Sequence, residues 1–154
     1  MQAIEKTLID TNWITLLFLF LFTCVFLLKG LSHTRLKGTV SSFVNNTFVK
    51  AEVEEKTSFF SLFQCIIFVF TMSVLSLVMY KVLLFYDFWK SQDFSNYIKV
   101  LSIVSSYFLI KRAIEFVFSY LFVIQKQVHF FIISKAVYLY STAFFLLISL
   151  VLVQ

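Results

Sequence analysis

The sequence predicts an all-α membrane protein: a multipass transmembrane helix bundle of about four spans, with a short amphipathic helix at the membrane surface. Three observations predict it. Hydrophobic residues fill 60% of the 154 positions and charged residues 14%, whereas soluble domains hold roughly 45–50% and about 25%. The apolar residues gather into four runs whose lengths approach the roughly 17–25 residues that a bilayer demands of a helix. The 13 Lys and Arg outnumber the 8 Asp and Glu for a net charge of +5, and they collect at the ends of those runs. Such an arrangement sets topology. It forms no basic stripe interleaved with exposed aromatics, so nucleic acid is not an expected partner.

Residues 1–154 have room for one integral membrane domain, with spans expected near 12–28, 59–81, 98–124 and 130–153. The first run, 13–28, lies between Asp10 and Lys29. It is too long for a signal-peptide core and no small-x-small cleavage pattern follows it, so it reads as an uncleaved span with Trp13 at the interface. A polar stretch, 29–58, follows and contains both glycines, Gly30 and Gly38. Within it Leu36, Val40, Phe43 and Val44 recur at helical spacing, opposite Lys37, Ser41, Ser42 and Asn45. This pattern predicts a short amphipathic helix, lying either in the headgroup layer or against the protein itself. Asn45-Asn46-Thr47 matches a glycosylation sequon, but the topology derived below sets it on the wrong side of the membrane.

Residues 59–80 form the clearest span, with Lys81 able to snorkel at its end. Ser61, Gln64 and Thr71 share one of its faces. A short loop over 87–96 comes next, with Tyr86, Trp89 and Tyr97 expected as interface aromatics. The third run, 100–124, carries Lys111, Arg112 and Glu115 at its centre. After a polar break at 125–129, the last run covers 130–153 with Lys135 near its start. The chain stops at Gln154 without a polar tail, as a piece of a longer protein would.

Orientation follows from the cations. Lys29, Arg35, Lys37, Lys50, Lys56, Lys126 and Lys135 share one side; Lys6, Lys81, Lys90 and Lys99 share the other. The positive-inside rule puts the 29–58 loop in the cytoplasm and both termini outside.

The third run is a marginal span by itself. Its fifteen Leu, Ile, Val and Phe residues contribute about −7 kcal/mol at best on an insertion scale. Three charges at mid-membrane cost about 8–10 kcal/mol on the same kind of scale. Local relief is available, because Lys111 and Glu115 are four residues apart and Arg112 and Glu115 three. Ser102, Ser105, Arg112, Glu115 and Ser119 form a polar stripe; Lys135, Tyr138, Thr142 and Ser149 form another on the last run. Two stripes facing each other would bury these groups in protein rather than in lipid. Lys111, Arg112, Glu115 and Lys135 are therefore the candidate intramembrane polar cluster.

Chemistry beyond that is sparse. No phosphate-binding glycine loop, dinucleotide motif, zinc signature or nucleophile elbow occurs. Glu115 is the single carboxylate inside an expected span, which speaks against a two-carboxylate or metal site. His33 and His129 fall near helix ends and read as solvated rather than as haem ligands, and Cys24 and Cys65 read as small buried hydrophobes. No cofactor, metal or catalytic residue is expected, and no enzyme.

Leu28-Lys29-Gly30-Leu31, the Arg35-Leu36 stretch leading to Phe48-Val49-Lys50, and the block from Tyr107 to Glu115 together resemble an uncharacterised multipass inner-membrane family of Bacteroidota, a domain of unknown function. The resemblance covers most of the chain. It implies a bacterial cytoplasmic (inner) membrane location, a longer protein with further spans, and no known activity. The expected function is a non-enzymatic subunit or assembly partner of an envelope complex, in contact with the bilayer and with a membrane-protein partner or further copies of itself. The alternative is a small transporter or channel subunit that uses the charges around Glu115.

Overall fold

Without proline, the apolar runs have nothing to break them. In the computed structural model, which describes residues 2–42, 61–86, 93–121 and 125–153, they form long helices. These are α1 (Gln2–Leu31), α2 (His33–Ser41), α3 (Leu62–Phe85), α4 (Phe94–Leu121) and α5 (Gln125–Val153). No strand occurs among the described residues. Gly30 lies inside α1 and Gly38 inside α2, not in a loop, and a side chain at Gly30 would meet nothing within 4 Å. The sequon, Phe43, Val44 and Trp89 lie outside the described residues.

α3 is the axis of the bundle, and α1, α4 and α5 pack around it. Ile67, Phe70, Val74, Leu77 and Tyr80 line one buried face, and Met72 and Ser76 extend burial around most of the helix. A helix apolar all round can meet neighbours on several sides in this way. The hydroxyls it carries inward are returned to its own backbone: Thr71 donates to the Ile67 carbonyl at 2.8 Å and Ser76 to the Met72 carbonyl at 2.7 Å. Thr71 and Ser61 therefore do not build a polar face. Ser61 instead caps α3, accepting from the Gln64 backbone N–H at 3.3 Å.

Ring contacts fix the directions. Trp13, early in α1, meets Tyr80, late in α3, with centroids 5.6 Å apart, so these helices are antiparallel. Tyr97 at the start of α4 lies 6.1 Å from the same tyrosine, so α4 also opposes α3. Phe70 and Phe144 stack at 4.8 Å, and Cys65 shares a recess with Tyr140, so α5 runs parallel to α3. Asn12–Leu31, Leu62–Phe85 and Phe130–Leu152 are long and apolar enough to cross a membrane. α4 matches them in length at 28 residues, and its charges set it apart.

α2 takes the second of the two placements expected for the amphipathic segment, against the protein itself: it packs on α5 and α1, with Leu36 partly buried against the core. The hydroxyls depart from the apolar pattern, because Thr39 and Ser42 are buried and Val40 is exposed. The free carbonyls at the C-terminal end of α2 explain this. Thr39 donates to the Arg35 carbonyl at 2.9 Å and Ser42 to the Thr39 carbonyl at 2.7 Å. Ser141 on α5 reaches the Val40 carbonyl at 3.3 Å. A helix end pressed against a spanning helix needs such donors, because lipid supplies none.

Candidate functional site

The charged cluster assembles where α3 begins, α4 ends and α5 begins. Phe70 and Phe144 give a ruler: nine residues back along both parallel helices, Lys135 stands level with Ser61, the cap of α3. Glu115 is at the same depth, because its carboxylate accepts a hydrogen bond from Lys135 Nζ at 2.5 Å. Arg112 is about one turn deeper, beside Cys65 and Tyr140. The Glu115–Lys135 pair thus stands level with the start of α3, while Lys135 lies five residues inside the apolar stretch of α5. α4 starts at Phe94, several residues earlier than the hydropathy suggests, and this shifts its charges toward the far end of the span.

The partners differ as well. Glu115 pairs across helices with Lys135, where sequence spacing pointed to cations on its own helix. Lys111 Nζ instead lies 5.6 Å from the centre of the Tyr107 ring, and Lys135 Nζ also lies 5.5 Å from the Phe131 ring. Arg112 lies beside Tyr140, both lining the same recess. All four candidate residues border one small recess of about 60 Å³ between α3, α4 and α5. The two polar stripes do not face each other along their whole length. Ser102 and Ser149 are exposed, and Ser149 and Thr142 donate to carbonyls of their own helix. The side chain of Ser119 lies outside the described residues.

A larger groove of about 460 Å³ adjoins that recess. Gln64, Arg112 and Tyr140 give it a polar end; Phe68, Leu109 and Phe116 give it an apolar wall. Its mouth faces outward, since Leu109 is 55% and Phe116 71% exposed. Cys65 also lines it and is exposed, whereas Cys24 is buried; both are free thiols. The sequence did not single out Tyr140. It falls off the stripe of Lys135, Tyr138 and Thr142, and only Arg112 arriving from another helix gives its hydroxyl a role.

The opposite end of the bundle is aromatic. Trp13 contacts Tyr80, Phe94 and Tyr97 at 5.6–5.7 Å. Tyr80 donates to the Asp93 carbonyl and Tyr97 to the Ser73 carbonyl, both at 3.4 Å. Tyr97 is 3% exposed, so it is a packing residue and not an interfacial anchor. His33 opens α2 and is exposed; the His129 side chain lies outside the described residues. Among the described residues no His, Cys, Asp and Glu gather as metal ligands.

A family model described as Domain of unknown function (DUF4271) matches residues 14–154. No curated protein and no solved structure matches the chain.

Proposed function

The chain belongs to this family of unknown function, and from that premise we propose that it is a non-enzymatic integral membrane component, a subunit or assembly partner of an envelope complex in a bacterial inner membrane. The exposed face of α4 carries the reading. Ser102 and Ser106 are four residues apart and both exposed, on a helix otherwise lined outward by Ile103, Tyr107, Ile110 and Ile114. Small polar residues at this spacing let a second helix approach closely and bond across the contact, whereas lipid gains nothing from them. α4 is also the helix with charges at one end and Lys99 near the other. Such a helix is better placed against protein than against lipid on every side. The Glu115–Lys135 pair favours the same reading, because it joins α4 to α5 and spends the carboxylate that a transport site would use.

Crosslinking and affinity purification from native membranes tests the proposal. Ser106→Phe should abolish recovery of the partner, or of a second copy, while the amount of inserted protein stays unchanged. A monomer that co-purifies with nothing in mild detergent would refute it.

A further inference from the structure

We infer that the outward face of α2, together with Lys29 at the end of α1, binds the headgroup of an acidic phospholipid in the bilayer around the bundle. The inference shares with the proposed function only the placement of the bundle in a bilayer.

Charge comes first. No Asp or Glu occurs between Asp10 and Glu52, whereas Lys29, Arg35, Lys37 and Lys50 do. On α2 the exposed residues are His33, Thr34, Lys37, Val40 and Ser41, which at 3.6 residues per turn share one arc of about 120°. Leu36, Thr39 and Ser42 turn the other way, into the protein, and Ser141 holds the far end of the helix through the Val40 carbonyl. Lys29 is exposed as well. Among the described residues neither lysine nor His33 has a hydrogen bond or ion pair within the protein. Arg35 has an interaction of its own, and the face is complete without it. A fixed face that offers two ammonium groups, an imidazole N–H and the Thr34 hydroxyl, but no carboxylate, suits phosphate oxygens.

Depth comes second. Trp13 meets Tyr80, so Lys29, sixteen residues onward in α1, stands level with Gln64, sixteen residues back in α3. That is about 24 Å from Trp13 at roughly 1.5 Å per residue. The long lysine side chain spans the remainder of a hydrocarbon layer of roughly 30 Å. Phe70 and Phe144 likewise put Gln64 level with Tyr138. Ser141, and the Val40 carbonyl bonded to it, therefore lie about one turn nearer the bilayer centre. From His33 through Lys37 to Val40 the outward face passes from the level of the headgroups to that of the chains, with its cation first and its apolar residue last. A phospholipid standing beside α2 presents its phosphate and its chains in the same order.

The test uses the full chain in mixed micelles holding equal amounts of phosphatidylglycerol and phosphatidylcholine with identical acyl chains. Native mass spectrometry then counts the lipid retained by each protein molecule. Phosphatidylglycerol should be favoured by about fivefold or more, a difference near 1 kcal/mol and about what one lysine beside an acidic surface contributes. Lys29→Gln combined with Lys37→Gln should bring the ratio near one, and Lys81→Gln, toward the opposite end of α3, should leave it unchanged. Thr34→Glu keeps every cation and adds a carboxylate to the same face, so it should remove the preference even if the lysine variants fail to insert. Equal retention of the two lipids by the unaltered chain, or a preference that survives both the double variant and Thr34→Glu, would overturn the inference. So would loss of a co-purifying protein, and not of lipid, in those variants.

Discussion

The two ends of the bundle hold their helices together by different means. At the aromatic end, Trp13, Tyr80, Phe94 and Tyr97 bring α1, α3 and α4 together, and the hydroxyls of Tyr80 and Tyr97 find backbone carbonyls. At the charged end, α4 and α5 meet through Glu115 and Lys135, whose side chains remain 23% and 40% exposed. A groove opens beside them, and the buried Ser134 hydroxyl has no hydrogen-bond partner among the described residues. The difference teaches where each kind of contact is useful. Rings pack densely and need no solvent, so they close an end. Ion pairs need partial hydration to be affordable, so they sit at an edge and leave space around them.

Truncation at the closed end should have the largest effect. Tyr80 is 1% exposed, and Tyr80→Ala removes its ring contacts with Trp13 and Tyr97 and its bond to the Asp93 carbonyl. The expected loss is about 2–3 kcal/mol, the lower end of the aromatic-to-alanine range, because lipid is as apolar as the core and only the packing is lost. Reversible unfolding in mixed detergent would measure it. If Tyr80→Ala cost no more than a change at the charged end, the two ends would not differ as described.

The charged end should respond less. Lys135→Met leaves Glu115 without its cation, and with both groups partly exposed the cost should be about 1–2 kcal/mol, between surface and buried pairs. The double variant Glu115→Leu with Lys135→Met should recover most of that loss. A double variant as unstable as the single one would show that the pair does not join the helices.

The smallest effect should come from removing one hydroxyl at the closed end. Tyr97→Phe keeps the ring and loses a bond of 3.4 Å, which should cost about 0.5 kcal/mol. A loss as large as that of Tyr80→Ala would mean that hydrogen bonding, and not ring packing, closes this end.

Much of the architecture was legible because the bilayer imposes its own arithmetic. An apolar run long enough to cross reads as a helix, and α3 follows its run closely, whereas α5 takes in the polar residues 125–129 expected to break the chain. The candidate cluster was legible for the same reason, since charges among apolar residues stand out. Tyr140 and Cys65 were not, because nothing in their own neighbourhoods marks them. Their significance comes from Arg112 on a helix that only folding brings near.

The polar segment shows the limit from another side. Leu36 and Val40 suggest a helix with its apolar face turned in; Leu36 does pack on the core, yet Val40 is exposed and Thr39 and Ser42 are buried. The demand that decided it was made by backbone carbonyls at the end of α2 and met by Ser141, about a hundred positions away in the chain. Periodicity records side-chain polarity and is blind to such a demand.

By itself, then, the sequence determined a helical membrane protein with its cations biased to one side, because hydropathy and charge act locally and need no partner to be counted. Only the tertiary structure decided that Lys135 takes the Glu115 carboxylate, that this pair stands level with the start of α3, and that a groove opens beside Arg112. Those outcomes depend on the register between helices, and register is set by side chains such as Phe70 and Phe144 meeting across the bundle, a relation that no single run of residues contains.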